Sequence, residues 1–183
     1  MIKKQIFVSN LCWKKKDTDF VINNLKKENI SGIDFAPLNY FKSWKNAFNK
    51  SRDLNLTFKK KKIKINAIQG IFFKKKLNLF KTKDQKKIKI HFENIVKLCK
   101  IFKSKKIILG SANFRNPKPF DLVKANHYFT IYFKQLNKLF RKHKIFLCIE
   151  TIPKKYGEKY INDITHLEYL ISKINSSNIR MNF

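Results

Sequence analysis

The chain has 183 residues, with 42 Lys and Arg against 12 Asp and Glu, so 42 − 12 gives a formal charge of +30. Apolar residues make up 43% of it and 18 are phenylalanine, which excludes a disordered polycation and leaves material for a sizeable core. No run of 18 apolar residues occurs, so a membrane-spanning helix is excluded. Ile6-Phe7-Val8 is too short an apolar stretch for a signal peptide.

Only Arg52, Arg115, Arg141 and Arg180 are arginines, so 42 − 4 leaves 38 lysines. Nucleic-acid readers favour the planar arginine fork, and the lysine runs at 14–16, 59–62 and 74–76 scatter along the chain. A solvated basic surface driven by composition is the preferred reading and a polyanion site the alternative, and the charge alone does not decide between them. Cys12, Cys99 and Cys148 are an odd number without close spacing, each set among apolar residues. Reduced, buried thiols in a cytoplasmic protein are the expectation.

Strands are expected at Ile6–Val8, Ile33–Phe35, Ile63–Ile68, Ile107–Leu109, Ile145–Ile149 and Ile179–Met181. Each is apolar on consecutive positions, as for strands covered on both faces. Between the first two, Asp17–Glu28 reads as a helix capped by Asp17, with Val21 and Leu25 facing inward. The stretch 39–58 reads as a helix with an irregular approach. In 85–103 the apolar positions Ile88, Phe92, Ile95, Cys99 and Phe102 step by 4, 3, 4 and 3, one face of an amphipathic helix. Leu122, Ala125, Phe129, Tyr132, Leu136 and Leu139 repeat the pattern after Pro119 and Asp121. Ile164, Leu167, Ile171 and Ile174 repeat it again after Asn162 and Asp163.

Strand, crossover helix and parallel strand in repetition define an α/β fold, read here as one domain over 1–183. No glycine follows the first strand, where Ser9-Asn10-Leu11-Cys12-Trp13 stands, so a dinucleotide-binding turn is absent. A (β/α) barrel of the TIM type fits better. A full barrel takes about 250 residues, and this chain reaches only a sixth strand, so the expectation is an incomplete barrel of five βα units and that strand.

Barrel chemistry sits in the loops after the strands. There the chain places Asn10, Asp34, Gln69, Ser111, Asn113, Arg115 and Glu150. Glu150 closes a five-residue apolar run, an expensive position for a carboxylate unless a metal, a cation or hydrogen bonds compensate it. It is the candidate metal ligand or general acid/base; a solvated or lysine-paired carboxylate is the structural alternative. Gly70 after Gln69 lets the backbone turn close to a ligand. The loop 110–115 offers amides, a hydroxyl and a guanidinium to an anion or polyol. His91, His127, His143 and His166 fall in or at the ends of helices and are not expected to hold metal.

These strand-end segments resemble the sugar phosphate isomerase/epimerase family, the xylose isomerase-like barrels that also include zinc endonucleases of abasic DNA. Gly32-Ile33-Asp34-Phe35-Ala36-Pro37 is similar to the family's Gly-Ile-Glu-x-Ala-Pro. Ala67 to Phe73 with Leu77-Asn78-Leu79-Phe80 is similar to the strand-three segment of one bacterial branch. Gly110 to Arg115 resembles that branch's Gly-Ser-Pro-x-Asn-Arg, and Glu150-Thr151-Ile152-Pro153 with Tyr156-Gly157 resembles its Glu-Pro-x-Pro-x-x-Tyr-Gly. Lys74 replaces a preferred glycine, Thr151 replaces a proline, and Phe114 separates Asn113 from Arg115.

The resemblance implies a sugar or sugar phosphate substrate and isomerase or epimerase activity. It implies Glu150 as both catalytic carboxylate and ligand of Mg, Mn or Zn, and Asn10, Gln69, Asn113 and Arg115 as substrate-binding residues. The family's remaining ligands, an Asp, a His and a Glu, follow strands six, seven and eight, and Asn178–Phe183 reads as strand six itself. The expectation is therefore a chain that does not retain metal or act alone. It would be a fragment, or a subunit completed by a homodimer or a complementing chain. No strand ends in His, so specific nucleic acid is not an expected partner, and neither is a membrane.

Overall fold

The computed structural model describes residues 5–41 and 43–183. Residues 1–4, which bear on the signal-peptide reading, and Lys42, within the stretch 39–58, lie outside them. Six strands alternate with five helices. They are β1 (Phe7–Ser9), α1 (Thr18–Lys27), β2 (Gly32–Phe35), α2 (Ala47–Lys60), β3 (Lys64–Ile68), α3 (Gln85–Phe102), β4 (Lys106–Leu109), α4 (Leu122–Lys142), β5 (Phe146–Glu150), α5 (Ile164–Ile174) and β6 (Ile179–Asn182). The sheet has the order β1-β2-β3-β4-β5-β6, and every pairing is parallel. β1 and β6 are its two edges, so the barrel wall is open.

The convex side of the sheet packs on the helices. Ile33, Phe35, Ile65, Ile107, Leu109, Leu147, Ile149 and Ile179 bury there against Ile22, Phe58, Ile88, Phe92, Ile95, Phe129, Phe133, Phe140 and Leu167. Aromatic rings dominate this layer. Phe92 meets Phe114, Phe133 and Phe140 edge-on, and Phe72 stacks on Phe114 with centroids 3.9 Å apart. Alternation of the pleat turns Ser9, Asp34, Asn66, Ile108, Cys148, Glu150 and Asn182 to the concave side. A register shift in the β2–β3 pairing breaks the alternation and brings Ala67 to the same side, where it forms a small second apolar cluster with Ile108 and Cys148, and Phe146 packs against it.

Local signals account for the helix starts. Asp121 and Asp163 cap α4 and α5 by accepting from the amides of Lys124 and His166. At α1 the cap differs from the expectation: Asp17 makes no side-chain cap bond, and Thr18 Oγ1 instead donates to the Lys15 carbonyl at 2.7 Å. Buried faces are rotated by one position in two helices. α1 buries Ile22 while Val21 and Leu25 are half-buried. α4 buries Ala125, Phe129, Phe133, Leu136 and Phe140, and Leu122 is exposed. In α4 the stripe holding Phe133 and Phe140 fills more volume over the sheet than the one through Tyr132 and Leu139.

α2 begins only at Ala47. Pro37–Asn39 make a 3-10 turn, and Tyr40 and Phe41 then fold back into the core as plugs beside Phe35. The thiols divide as well: Cys99 and Cys148 are buried, but Cys12 is exposed, because it belongs to the short 3-10 turn Asn10–Cys12 at the sheet edge rather than to β1.

Candidate functional site

β5 delivers Glu150 to the carboxyl end of the sheet, on the concave face. Its Oε1 accepts a hydrogen bond from Asn182 Nδ2 at 2.9 Å, across the β5–β6 pair in which the two residues are in register. Its Oε2 lies over Gly110, where any Cβ would stand 2.1 Å from that oxygen. The glycine that follows β4 is thus what makes room for the carboxylate. Burial raises the Glu150 pKa above the ordinary carboxylate value. The Asn182 hydrogen bond and the charge of Arg115 oppose that rise, and Asp34 adds to it.

On the neighbouring strands a polar belt continues. Asp34 Oδ1 accepts from Asn66 Nδ2 at 2.8 Å, and Asn66 Oδ1 accepts from Lys106 Nζ at 3.4 Å. Gln69 Nε2 donates to Ser9 Oγ at 2.6 Å and to the Asp34 carbonyl at 2.9 Å, which joins the ends of β1, β2 and β3. Asn10 is fully buried. Its Oδ1 accepts from the Ala36 amide at 2.6 Å and its Nδ2 donates to the Ala36 carbonyl at 3.4 Å, clamping the loop after β1 to the loop after β2.

Arg115 occupies a different environment from the open loop that its sequence position implies. Its side chain has no exposure, its Nε donates to Glu158 Oε2 at 2.6 Å, and its Nη2 donates to the Ile161 carbonyl at 3.4 Å. Nη1 is buried without a partner. Burial lowers the Arg115 pKa, and the facing Glu158 and then Glu150 push it back up. Glu158 in turn accepts from the amides of Lys159, Tyr160 and Ile161 at 3.1, 2.9 and 3.2 Å. The pair therefore bolts the loop after β4 to the loop after β5, behind Glu150. Asn113 is exposed at the rim, with its carbonyl accepting from Asn78 Nδ2 at 3.3 Å.

The structure thus gathers Glu150, Gly110, Asn182, Asp34 and Gln69 around one end of the concave face, keeps Asn113 at its rim, and places Asn10 and Arg115 in its walls. A cleft of about 180 Å³, lined by Glu150, Thr151, Ile164, Leu167, Met181, Asn182 and Phe183, opens beside it at the β6 edge. Asn182, Asn66 and Glu158 were not singled out from the sequence. Alternation along β6 points to Asn182 once Glu150 is in hand. No local signal ties Glu158 to a partner 43 positions earlier. Among the described residues no three His, Cys, Asp or Glu side chains converge to hold a metal ion. Glu150 alone does not make the octahedral or tetrahedral ligand set that Mg, Mn or Zn needs.

Six parallel strands in sequential order with crossover helices on one face define a TIM-type (β/α) barrel fold, here as an open six-stranded wall. No family model matches the sequence, and no curated protein matches it. Solved structures share the fold. The probable 3-DHS dehydratase AsbF of petrobactin synthesis from Bacillus anthracis superposes with a TM-score of 0.75 at 15% identity, over 98% of this chain and 62% of that one. A family 2 AP endonuclease from Brucella melitensis gives 0.75 at 8% identity, over 99% and 68%. A D-psicose 3-epimerase, solved in the presence of D-fructose, gives 0.76 at 13% identity, over 97% and 62%. The chain therefore spans about two thirds of the length of the barrels it resembles.

Proposed function

We propose that the chain carries one carboxylate arm of a sugar or sugar phosphate isomerase/epimerase site, completed by ligands from a further stretch of polypeptide or a complementing chain. Glu150 at the end of β5 carries this reading: partly buried, held by Asn182 at 2.9 Å and seated over Gly110. A carboxyl group whose pKa is raised by burial is a stronger base than a solvated one, which suits it to exchange a proton on the carbon beside a sugar carbonyl. The Asn182 amide satisfies Oε1, so Oε2 is the oxygen that takes up the proton and returns it. Gln69 uses its Nε2 internally and keeps its Oε1 for a substrate hydroxyl, and Asn113 presents its amide at the rim. Asn10 and Arg115 hold the surrounding loops in place.

A divalent metal of the kind the resemblance implies would polarise the carbonyl. The ligands present do not form its site, so the proton exchange by Glu150 is the only step assigned to this chain. The same shortage supports a second reading, in which the chain is a non-catalytic fragment or a subunit that acts only with a complementing chain. The abasic-site endonuclease reading is disfavoured, because all four histidines lie in helices or at a helix end: His91 in α3, His127 in α4, His143 after it and His166 in α5.

Solvent deuterium incorporation into ketohexoses and their phosphates, read by NMR with Mg²⁺ present, tests the proposal. The protein is assayed alone and mixed with the part of a D-psicose 3-epimerase that runs from the end of its sixth strand to its C-terminus. The expected result is incorporation only in the mixture, lowered at least hundredfold by Glu150→Gln. Incorporation indifferent to that substitution, or none in a mixture that co-elutes as a complex, would overturn it.

A further inference from the structure

The opposite end of the sheet carries a second cleft, of about 410 Å³, lined by Lys105, Arg141, Lys144, Phe146, Ser177, Asn178 and Arg180. That volume is within the range of small-ligand sites. Phe146 begins β5 and Glu150 ends it, so the two clefts lie about 13 Å apart along one strand. The floor of this cleft is the start of three adjacent strands, tied by Phe146 N donating to the Lys105 carbonyl and Leu147 N to the Asn178 carbonyl, both at 2.8 Å. Asn178 Nδ2 adds a bond to the Ile145 carbonyl at 2.9 Å.

Four cations converge there, and no carboxylate lines the cleft. The ion pairs found among the described residues, Lys61–Asp19, Arg115–Glu158 and Lys124–Asp121, use none of the four. Arginine supplies only four of the 42 basic side chains, yet two of the four cations here are arginines. A surface made basic by composition alone would present lysine. Arg180 is also fixed in position: its Nε donates to the Ser177 carbonyl at 2.9 Å and its guanidinium lies 4.1 Å from the centroid of the Phe146 ring. Its two Nη groups are left as a preset fork, the geometry that pairs with two oxygens of a phosphate.

We propose that this cleft is a binding site for a phosphate-bearing anion, with Arg180 and Arg141 as the oxygen-pairing residues and Lys105 and Lys144 as point charges around it. The anion is multiply charged, either a free polyphosphate or a stretch of nucleic-acid backbone. The site stands apart from Glu150 and does not depend on the carbohydrate reading.

The test is carried out on the whole chain in 150 mM NaCl with two probes: sodium tripolyphosphate by calorimetry, and a labelled twelve-residue oligothymidylate by fluorescence anisotropy. The expected result is saturable binding of one anion per chain, at least tenfold weaker in Arg141→Gln/Lys144→Gln. Lys86→Gln/Lys87→Gln removes the same charge from the exposed start of α3 and is expected to change affinity less than twofold. Arg180→Lys keeps the charge but loses the fork, and is expected to weaken binding at least threefold. Both altered lysine and arginine positions of the first double variant are exposed, so that variant should fold even where Arg180→Lys disturbs Phe146. Tripolyphosphate that binds and displaces the oligonucleotide identifies a free anion; oligonucleotide binding alone, with the same dependence on the variants, identifies a nucleic-acid backbone. Equal weakening by the two double variants, or no saturable binding of either probe, would overturn the proposal.

Discussion

Replacing Glu158 by Gln should be among the most costly single changes in this protein, and costlier than removing its partner. The Arg115 guanidinium has no exposure and one opposite charge in contact, Glu158 Oε2 at 2.6 Å. In Glu158→Gln that charge is lost while the cation stays buried, a loss of about 3–5 kcal/mol. In Arg115→Met the carboxylate stays behind, but three backbone amides still donate to its Oε1, and the Nη1 group buried without a partner disappears. That loss should be about 2 kcal/mol. The double variant should lie close to Arg115→Met, so the coupling between the two positions equals the whole Glu158→Gln loss, about 3–5 kcal/mol. Urea unfolding followed by far-ultraviolet circular dichroism reads these values. With a slope of about 2 kcal/mol per molar, Glu158→Gln should lower the midpoint by about 2 M. A Glu158→Gln midpoint within 0.5 M of the parent (about 1 kcal/mol at that slope), or a larger drop for Arg115→Met, would refute the account of the pair as an asymmetric bolt.

Gly32→Ala should cost more than about 3 kcal/mol, because its Cβ would stand 2.0 Å from the Lys64 carbonyl oxygen of the paired strand, and backbone cannot step aside; a soluble variant with a parent-like melting temperature would contradict this. His91, with Nε2 against the Ile71 carbonyl at 2.5 Å, has its pKa lowered by burial from 6.5 to about 4. Its contribution is complete above pH 6.5 and is lost as pH falls towards 4, by about 3 kcal/mol, and the difference in urea midpoint between parent and His91→Gln at pH 7 and pH 4 checks it. Glu150 has the opposite sign: its raised pKa favours the protonated form in the fold, so relative to Glu150→Gln the parent should lose stability as pH rises above 4.5. Identical pH profiles for the two proteins would count against that. Among the three cysteines, exposed Cys12 should react with a disulfide reagent in the native state while Cys99 and Cys148, buried and with raised thiol pKa values, wait for unfolding.

The strands were legible because each is a short run of β-branched or aromatic residues between helical periods, and every one lies within a residue or two of its expected place. Glu150 was legible for a related reason: a carboxylate at the end of Phe146-Leu147-Cys148-Ile149 violates the local pattern. What the chain order hides is pairing at a distance. Asn10 and Arg115 look like free polar groups on loops, and only the packing of one loop against the next turns them into a clamp on Ala36 and a partner for Glu158. The late start of α2 was hidden for another reason, since the aromatic pair Tyr40 and Phe41 continues a plausible helical period yet gains more by burying beside Phe35. In α1 and α4 two apolar stripes compete on one helix, and side-chain volume decides which faces the sheet.

The strictly sequential strand order has a consequence for how the chain acquires its structure during synthesis. Each new strand finds its hydrogen-bonding neighbour in the unit made just before it, so no strand must wait for a distant segment to emerge. Loop closure then spans a single crossover at every step, which keeps the entropic barrier small and the assembly directional. A ribosome would release this protein as a sheet growing at one side, with the most recent strand always serving as the template for the next.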